Sequence, residues 1–162
     1  MKIAHKSILI VVISALTITG CSRKNDSFVS RNFHAVTAEY NTLFNGNNAL
    51  EKGRENLNSA YRDNYWAVLP VERMQIAEEI MLPGQSKNAD FTVAEEKAVK
   101  AIQQHGMNIK GKEYNPQMDE AYLLLGKARY FDQRFIPAPE AFNYILYKYP
   151  ASSNINQAKV SA

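Results

Sequence analysis

Residues 115–150 read NPQMDEAYLLLGKARYFDQRFIPAPEAFNYILYKYP, and this stretch decides the fold because it carries its own start, turn and stop signals. Asn115 is a capping residue type, and Pro116, with its fixed φ and missing N–H, suits a first helical turn. Asp119 and Glu120 favour the positive end of a helix dipole. Met118, Ala121, Tyr122, Leu125 and Ala128 recur at spacings of three and four, which places them on one apolar face. A polar turn at Asp132 to Arg134 follows. A second helix is expected to open near Pro137, with Pro139 still in its first turn. Ala138, Phe142, Ile145 and Tyr149 form its buried stripe until Pro150 ends it.

The order and spacing of this hairpin resemble the 34-residue tetratricopeptide repeat. With Leu125 and Gly126 on the Leu-Gly of that pattern, Tyr122 takes its Trp position, Ala138 and Phe142 its second-helix Ala and Phe, and Pro150 its terminal Pro. Small residues at Gly126 and Ala138 would let the helices approach, and the Phe142 ring would fill the space they leave. Arg129 and Ile145 depart from the pattern, standing where Tyr and Ala are usual. The resemblance implies an all-α fold of tetratricopeptide-like helical hairpins stacked as a short right-handed solenoid over residues 30–162, with its clear repeat at 119–150.

N-terminal to the hairpin, a helix is expected from Asp90 or Phe91 to His105. Thr92 and Glu95 have capping-box spacing, Ala94, Ala98, Ala101 and Ile102 form a narrow apolar stripe, and Gly106 would end the helix in the left-handed conformation. Glu95 and Glu96 with Lys97 and Lys100 read as a solvated face. A shorter helix is expected on Val71, Met74, Ala77, Ile80 and Met81, stopped by Leu82-Pro83-Gly84. Tyr61, Tyr65 and Trp66 read as packing residues, with a ligand platform as the alternative. From Ser30 the chain again reads as helix. Aligning Pro70 with the terminal Pro of the repeat puts Gly46 where Gly126 sits and Gly53 in a turn; one longer helix through Asn47 is the other reading. No segment alternates steadily, so no sheet is expected. Ile155, Ala158 and Val160 begin a further helix that stops almost at once, and no polar capping helix follows. Repeat arrays need such a cap, so the chain is expected to be the N-terminal part of a longer protein or a truncated product.

The first twenty residues have a different purpose. Lys2 and Lys6 precede an apolar run from Ile8 to Ile18, too short to span a bilayer and suited to a secretory signal. It ends in Leu16-Thr17-Ile18-Thr19-Gly20-Cys21, which resembles a bacterial lipobox. Residues 1–20 are expected to be removed, and Cys21, the single cysteine, to become the lipidated N-terminus of a tether over residues 21–29. At about 0.8 kcal/mol per buried CH₂, additional acyl chains convert marginal membrane binding into stable anchoring. Removing Lys2 and Lys6 takes the basic count from 19 to 17 against 16 acidic residues, so the mature chain is nearly neutral and gives no argument for nucleic acid. Ser22 after Cys21 is not the Asp of inner-membrane retention, and no acidic export run follows, which together point to the periplasmic side of the outer membrane.

Enzyme chemistry finds little support. Gly106 to Glu113, GMNIKGKE, has the spacing of a phosphate-binding loop up to Lys112, but Glu113 stands where a hydroxyl residue is required and the segment follows a helix. His5 lies in the signal, while His34 and His105 lack zinc-site spacing and read as surface or cap residues. No G-x-S-x-G motif is present, and Cys21 is committed to lipid. No catalytic residue, cofactor or metal is expected.

The lipobox, SRNFHAVTAEYNTLFNGNNALEKG, DNYWAVLPVERMQI, LPGQSKN and EYNPQMDEAYLLLGKARYFDQRF together resemble the N-terminal region of the SprE/PorW family. These are tetratricopeptide-repeat lipoproteins of the Bacteroidetes type IX secretion and gliding machinery. The resemblance covers essentially the whole mature chain. It implies a non-enzymatic outer-membrane scaffold whose protein partners include the PorK/PorN ring or the outer-membrane translocon. YPASSNINQAK also resembles repeat endings of outer-membrane assembly lipoproteins of the BamD kind, and a SusD-like glycan-binding lipoprotein is the alternative from another class. In tetratricopeptide arrays the first helix of each repeat lines the groove, which implies Glu120, Leu123, Lys127, Tyr130 and Phe131 as partner-binding residues. Leu123 and Phe131 packed on the helix around Ala98 and Ile102 is the competing placement.

Cys21→Ala should leave the precursor uncleaved or release the protein from the membrane, which fractionation and the mass of the N-terminal peptide would report. Normal membrane recovery of that variant overturns the anchor.

Overall fold

The computed structural model describes residues 22–72, 74 and 88–161, and over these the chain is all-α. Helix α1 (Phe28–Thr37) passes through a π-helical segment (Ala38–Leu43) into α2 (Phe44–Ala60). Then come α3 (Ala89–His105), α4 (Met118–Phe131), α5 (Pro137–Lys148) and α6 (Ile155–Ser161). The expected signal, Cys21 and the Ala77, Ile80 and Met81 helix lie outside the described residues.

The first helical stretch is one element, so the longer-helix reading holds and no turn opens at Gly53. Its inward residues explain the π segment. His34, Ala38 and Leu43 are spaced at four and five, whereas Gly46, Leu50, Gly53 and Leu57 return to three and four. Wider winding carries the first set onto the face that the second set keeps. The Thr42 hydroxyl reinforces the local change by donating to the Ala38 carbonyl at 2.7 Å.

Successive helices run antiparallel, as their contacts show. Gly53 meets Phe91 and Gly46 meets Lys97 and Ala94 between α2 and α3. Phe91 stacks on Phe131, and Glu95 pairs with Arg129, between α3 and α4. Arg129 Nη1 donates to the Pro137 carbonyl at 3.1 Å, and Gly126 faces Phe142, between α4 and α5. One cluster, with Leu43, Leu50, Phe91, Ala98, Met118 and Leu124, fills the space among α2, α3 and α4. A second, with Leu123, Ala138, Phe142, Ile145 and Ala158, joins α4, α5 and α6.

The spacing at the hairpin has a steric cause. A Cβ on Gly126 would lie 2.4 Å from the Phe142 ring, and one on Gly53 would lie 2.5 Å from the Phe91 ring. A side chain at either position would force the facing ring to shift from its place between the two helices.

Several local expectations need correction. Helix α3 is capped by Asn88, whose side chain accepts from the Asp90 N–H at 2.9 Å, so the Thr92/Glu95 capping box is not used. Gly106 is extended, with φ −62°, because the chain leaves α3 directly into a β-ribbon. That ribbon, β1 (Asn108–Ile109) with β2 (Lys112–Glu113), pairs through a two-residue turn at Lys110 and Gly111, both with positive φ. Positive φ at both turn residues matches the twist of a tight hairpin, which Gly111 supplies at no steric cost. Glu113 ends the ribbon by accepting the N–H groups of Met107, Tyr114 and Asn115 at 2.7, 3.1 and 2.9 Å. The loop that matched a phosphate-binding spacing is therefore a carboxylate-clamped ribbon. Asn115 does cap, but one turn early: it accepts from the Gln117 N–H and donates to the His105 carbonyl, and α4 begins at Met118.

Phe142→Ala and Leu125→Ala should each cost about 2–5 kcal/mol, through lost burial and the cavities left. Gly126→Ala should cost about 1–3 kcal/mol although it enlarges the residue, because the Phe142 ring has to move. Chemical denaturation of the full chain reads all three, and a neutral Gly126→Ala would show that the helices are not in close approach.

Candidate functional site

Helices α2, α4 and α6 border a groove of about 500 Å³. Lys127, Tyr130 and Phe131 contribute its α4 wall, Arg54 comes from α2, and Gln157 and Val160 from α6; Pro70, Val71 and Met74 close one side. The groove thus combines two cations, Arg54 and Lys127, with the rings of Tyr130, Phe131 and Phe142 and one carboxylate, Glu72. Arg54 is held over the Phe131 ring at 5.0 Å and pairs with Glu51 at 2.9 Å. The Tyr130 ring meets Phe131 and Phe135 edge-on at 5.3 and 5.7 Å. Burial, and then the neighbouring Arg54 charge, push the Lys127 ammonium below its usual range, against the pull of Glu51 and Glu120.

Of the five residues implied for partner binding, three share this groove: Lys127, Tyr130 and Phe131. Glu120 is half-buried and accepts a hydrogen bond from Asn47 Nδ2 at 3.3 Å, outside the groove lining. Leu123 is only 5 % exposed and sits in the cluster with Phe142 and Ala158. It cannot touch a partner in this conformation. The competing placement against Ala98 and Ile102 is also not what occurs for Leu123, because α4 is central and buries side chains on several faces, including Leu123, Leu124, Leu125 and Gly126 in succession. Arg54 was not foreseen: a lone Arg on a polar helix carries no signal of its place in space.

The packing reading of the aromatic cluster fails for two of its members. Tyr65 is 80 % exposed and Trp66 is 99 % exposed, beyond the end of α2, where no neighbouring helix covers them among the described residues.

Two polar clusters lie away from the groove. The first is buried and ionic. Glu95 accepts from Arg129 Nε at 2.8 Å and from Arg134 Nη2, while Arg134 Nε donates to Asp132 at 3.0 Å. Burial alone would raise the Glu95 carboxyl, but the hydrogen bonds and charges of Arg134 and Arg129 outweigh it and hold it below the ordinary carboxylate value. Glu95, expected on a solvated face, is therefore the acceptor that ties α3 to the α4–α5 turn. Arg129, the departure from the repeat pattern, is used here instead of packing as a ring.

The second cluster joins α1 to α3. His34 and His105, expected as surface or cap residues, lie in the last turns of their helices but are both buried, with Nδ1 atoms 3.2 Å apart, so one ring donates and the other accepts. Burial, then the charges of His34, Lys100 and Arg23, push the His105 imidazole below its ordinary value of 6.5. Among the described residues no group of three His, Cys, Asp or Glu side chains is arranged to hold a metal, and no helix is long and apolar enough to cross a membrane.

No protein-family model matches the chain, and no curated protein matches it in sequence.

The histidine pair predicts a pH dependence with a definite sign. The folded value for His105 lies below the unfolded one, so the unfolded chain binds the proton first and stability falls as the medium acidifies. The contribution is complete above about 6.5 and is lost as pH drops through the folded value. Melting temperature should fall as pH drops below about 6.5 and through the lower folded value of His105, and His105→Gln should flatten that slope. An unchanged slope in the variant would assign the dependence elsewhere.

Proposed function

We propose that this protein is a non-enzymatic, lipid-anchored scaffold that works by capturing protein partners in the groove between α2, α4 and α6. The observation that carries this reading is the meeting of Lys127, Arg54, Tyr130 and Phe131 at one open groove. Rings with cations beside them are the residue types that concentrate binding energy in helix or peptide recognition. A tetratricopeptide-like, right-handed solenoid is part of the proposal. It is supported by the antiparallel succession of helices, each packed chiefly on its neighbours in sequence, and by the Gly126–Phe142 contact at the repeat's small-residue position.

The more specific assignment is to the SprE/PorW family of type IX secretion and gliding lipoproteins. It rests on the resemblance of the quoted stretches and on the lipobox ending in Cys21, and Ser22 without a following acidic run supports an outer-membrane position facing the periplasm. Partners of this reading are components of that machinery, the PorK/PorN ring or the translocon. A glycan-binding role of the SusD kind has one observation in its favour, the exposed rings of Tyr65 and Trp66.

Lys127→Glu combined with Tyr130→Ala should lower recovery of secretion components when the tagged protein is purified from cells, with helical circular dichroism and melting temperature nearly unchanged. Undiminished co-purification and secretion in that folded double variant would exclude the groove. Glycan bound to the purified protein, with no secretion component, would favour the alternative.

A further inference from the structure

Helix α1 is built inside out. Its residues facing the core are polar, Ser30 and His34, while Phe28, Val29, Phe33 and Val36 point away from it. The outward stripe continues through the π segment at Tyr40 and into α2 at Phe44, and these six side chains are between 47 and 78 % exposed. The same exposed side then turns polar at Asn48, Glu51, Glu55 and Ser59. An apolar stripe that stops halfway along a continuous helix is matched to something that reaches only its N-terminal half.

The segment before α1 says what that is. Residues 22–27 are not a free tether, as expected, because they fold back on the helix they precede. Ser30 Oγ donates to the Ser22 carbonyl at 2.8 Å, Asn25 N–H donates to the same carbonyl at 3.1 Å, and Ser27 caps α1 by accepting from the Ser30 N–H at 3.1 Å. Arg23 also donates to the Gln103 carbonyl at the end of α3. Cys21 is therefore one residue, about 3.8 Å along the backbone, from a point hydrogen-bonded to the first turn of α1. Acyl chains on Cys21 would bring that turn to the lipid surface. Cations lie near this end of the chain: Arg23 and Lys24, Arg31, which pairs with Asp26 at 3.0 Å, and Lys112, with Arg31 and Lys112 at 5.6 and 5.3 Å from the Tyr114 ring. An apolar face carrying rings, with basic residues close by in sequence, is the composition of helices that lie in a membrane interface.

We infer that α1 and the start of α2 lie flat on the phospholipid surface that holds the anchor, with Val29, Phe33, Val36, Tyr40 and Phe44 among the headgroups and upper acyl chains. The inference rests on the lipid-anchor reading. It adds that the acylated end is a rigid docking face, which fixes the orientation of the helical array on the membrane and turns its polar α2 half away from it.

Trp66 is the only tryptophan, so a Trp66→Phe background allows single reporters at Phe33→Trp, Tyr40→Trp and, on the polar continuation, Glu55→Trp. The full chain, processed and purified from cells, is placed in phosphatidylethanolamine–phosphatidylglycerol vesicles with brominated acyl chains. Mass measurement of the N-terminal peptide establishes whether Cys21 is acylated. Severalfold quenching at 33 and 40, with position 55 unaffected, is the expected result. An acylated, vesicle-bound chain with 33 and 40 unquenched overturns the inference and leaves the anchor standing. A blue-shifted but unquenched reporter also overturns it, by showing that protein covers the stripe. Equal quenching at 55 overturns the confinement of the lipid contact to the apolar N-terminal half, and an unacylated Cys21 removes the anchor and this inference together.

Discussion

The close approach of consecutive helices at glycine is the constraint on which the rest of the structure depends. Gly126 admits the Phe142 ring and Gly53 admits the Phe91 ring, each at a distance that a methyl group would forbid. Gly46 does the same for Leu124 from two helices along. Glycine inside a helix costs about 0.5–1 kcal/mol relative to alanine, so three such positions are tolerated only where packing returns more. What they return is a ring driven fully into the helix beside it, and with that a short interaxial distance that brings side chains of alternate helices within reach.

Tight packing has an electrostatic companion. The Glu95 carboxylate, shared between Arg129 and Arg134, locks the α4–α5 turn against α3, with Asp132 completing the charge balance. A buried ionic group of this kind adds little net stability compared with an apolar replacement, but it is costly to break by removing one partner, roughly 3–5 kcal/mol. Its effect is directional. Four charged groups can be satisfied together in few arrangements, so the network selects how α5 returns along α4, and the Arg129 hydrogen bond to the Pro137 carbonyl sets where α5 begins.

The two surfaces proposed for partner and membrane contact follow from this central frame. Helix α4 is enclosed by α2, α3 and α5, which leaves only its edge residues Lys127, Tyr130 and Phe131 to face the groove. Helix α1 lies at the opposite situation, flanked on its inner side alone, and it meets α3 through a histidine pair instead of aliphatic packing. A weakly apolar inner face and an apolar outer face make α1 the element whose position depends most on what lies outside the chain.

How much of this was legible beforehand depended on the range of the interaction. The helical hairpin at residues 119–150, its Gly126–Phe142 contact and the helix reaching His105 are all local patterns, because periodicity, proline and glycine act within a few residues of themselves. Leu123 could not be placed in that way: a periodic stripe identifies one buried face, and a central helix has several. The same limit hid the roles of Glu95, His34 and His105, whose partners are 34 to 71 residues away. It also hid the π segment, which exists to rotate Ala38 and Leu43 toward α3, and the inverted polarity of α1. Local chemistry marked most of the described helical segments, though not all of their ends; only the tertiary structure decided which of their faces meet, because burial belongs to pairs of elements and not to either one alone.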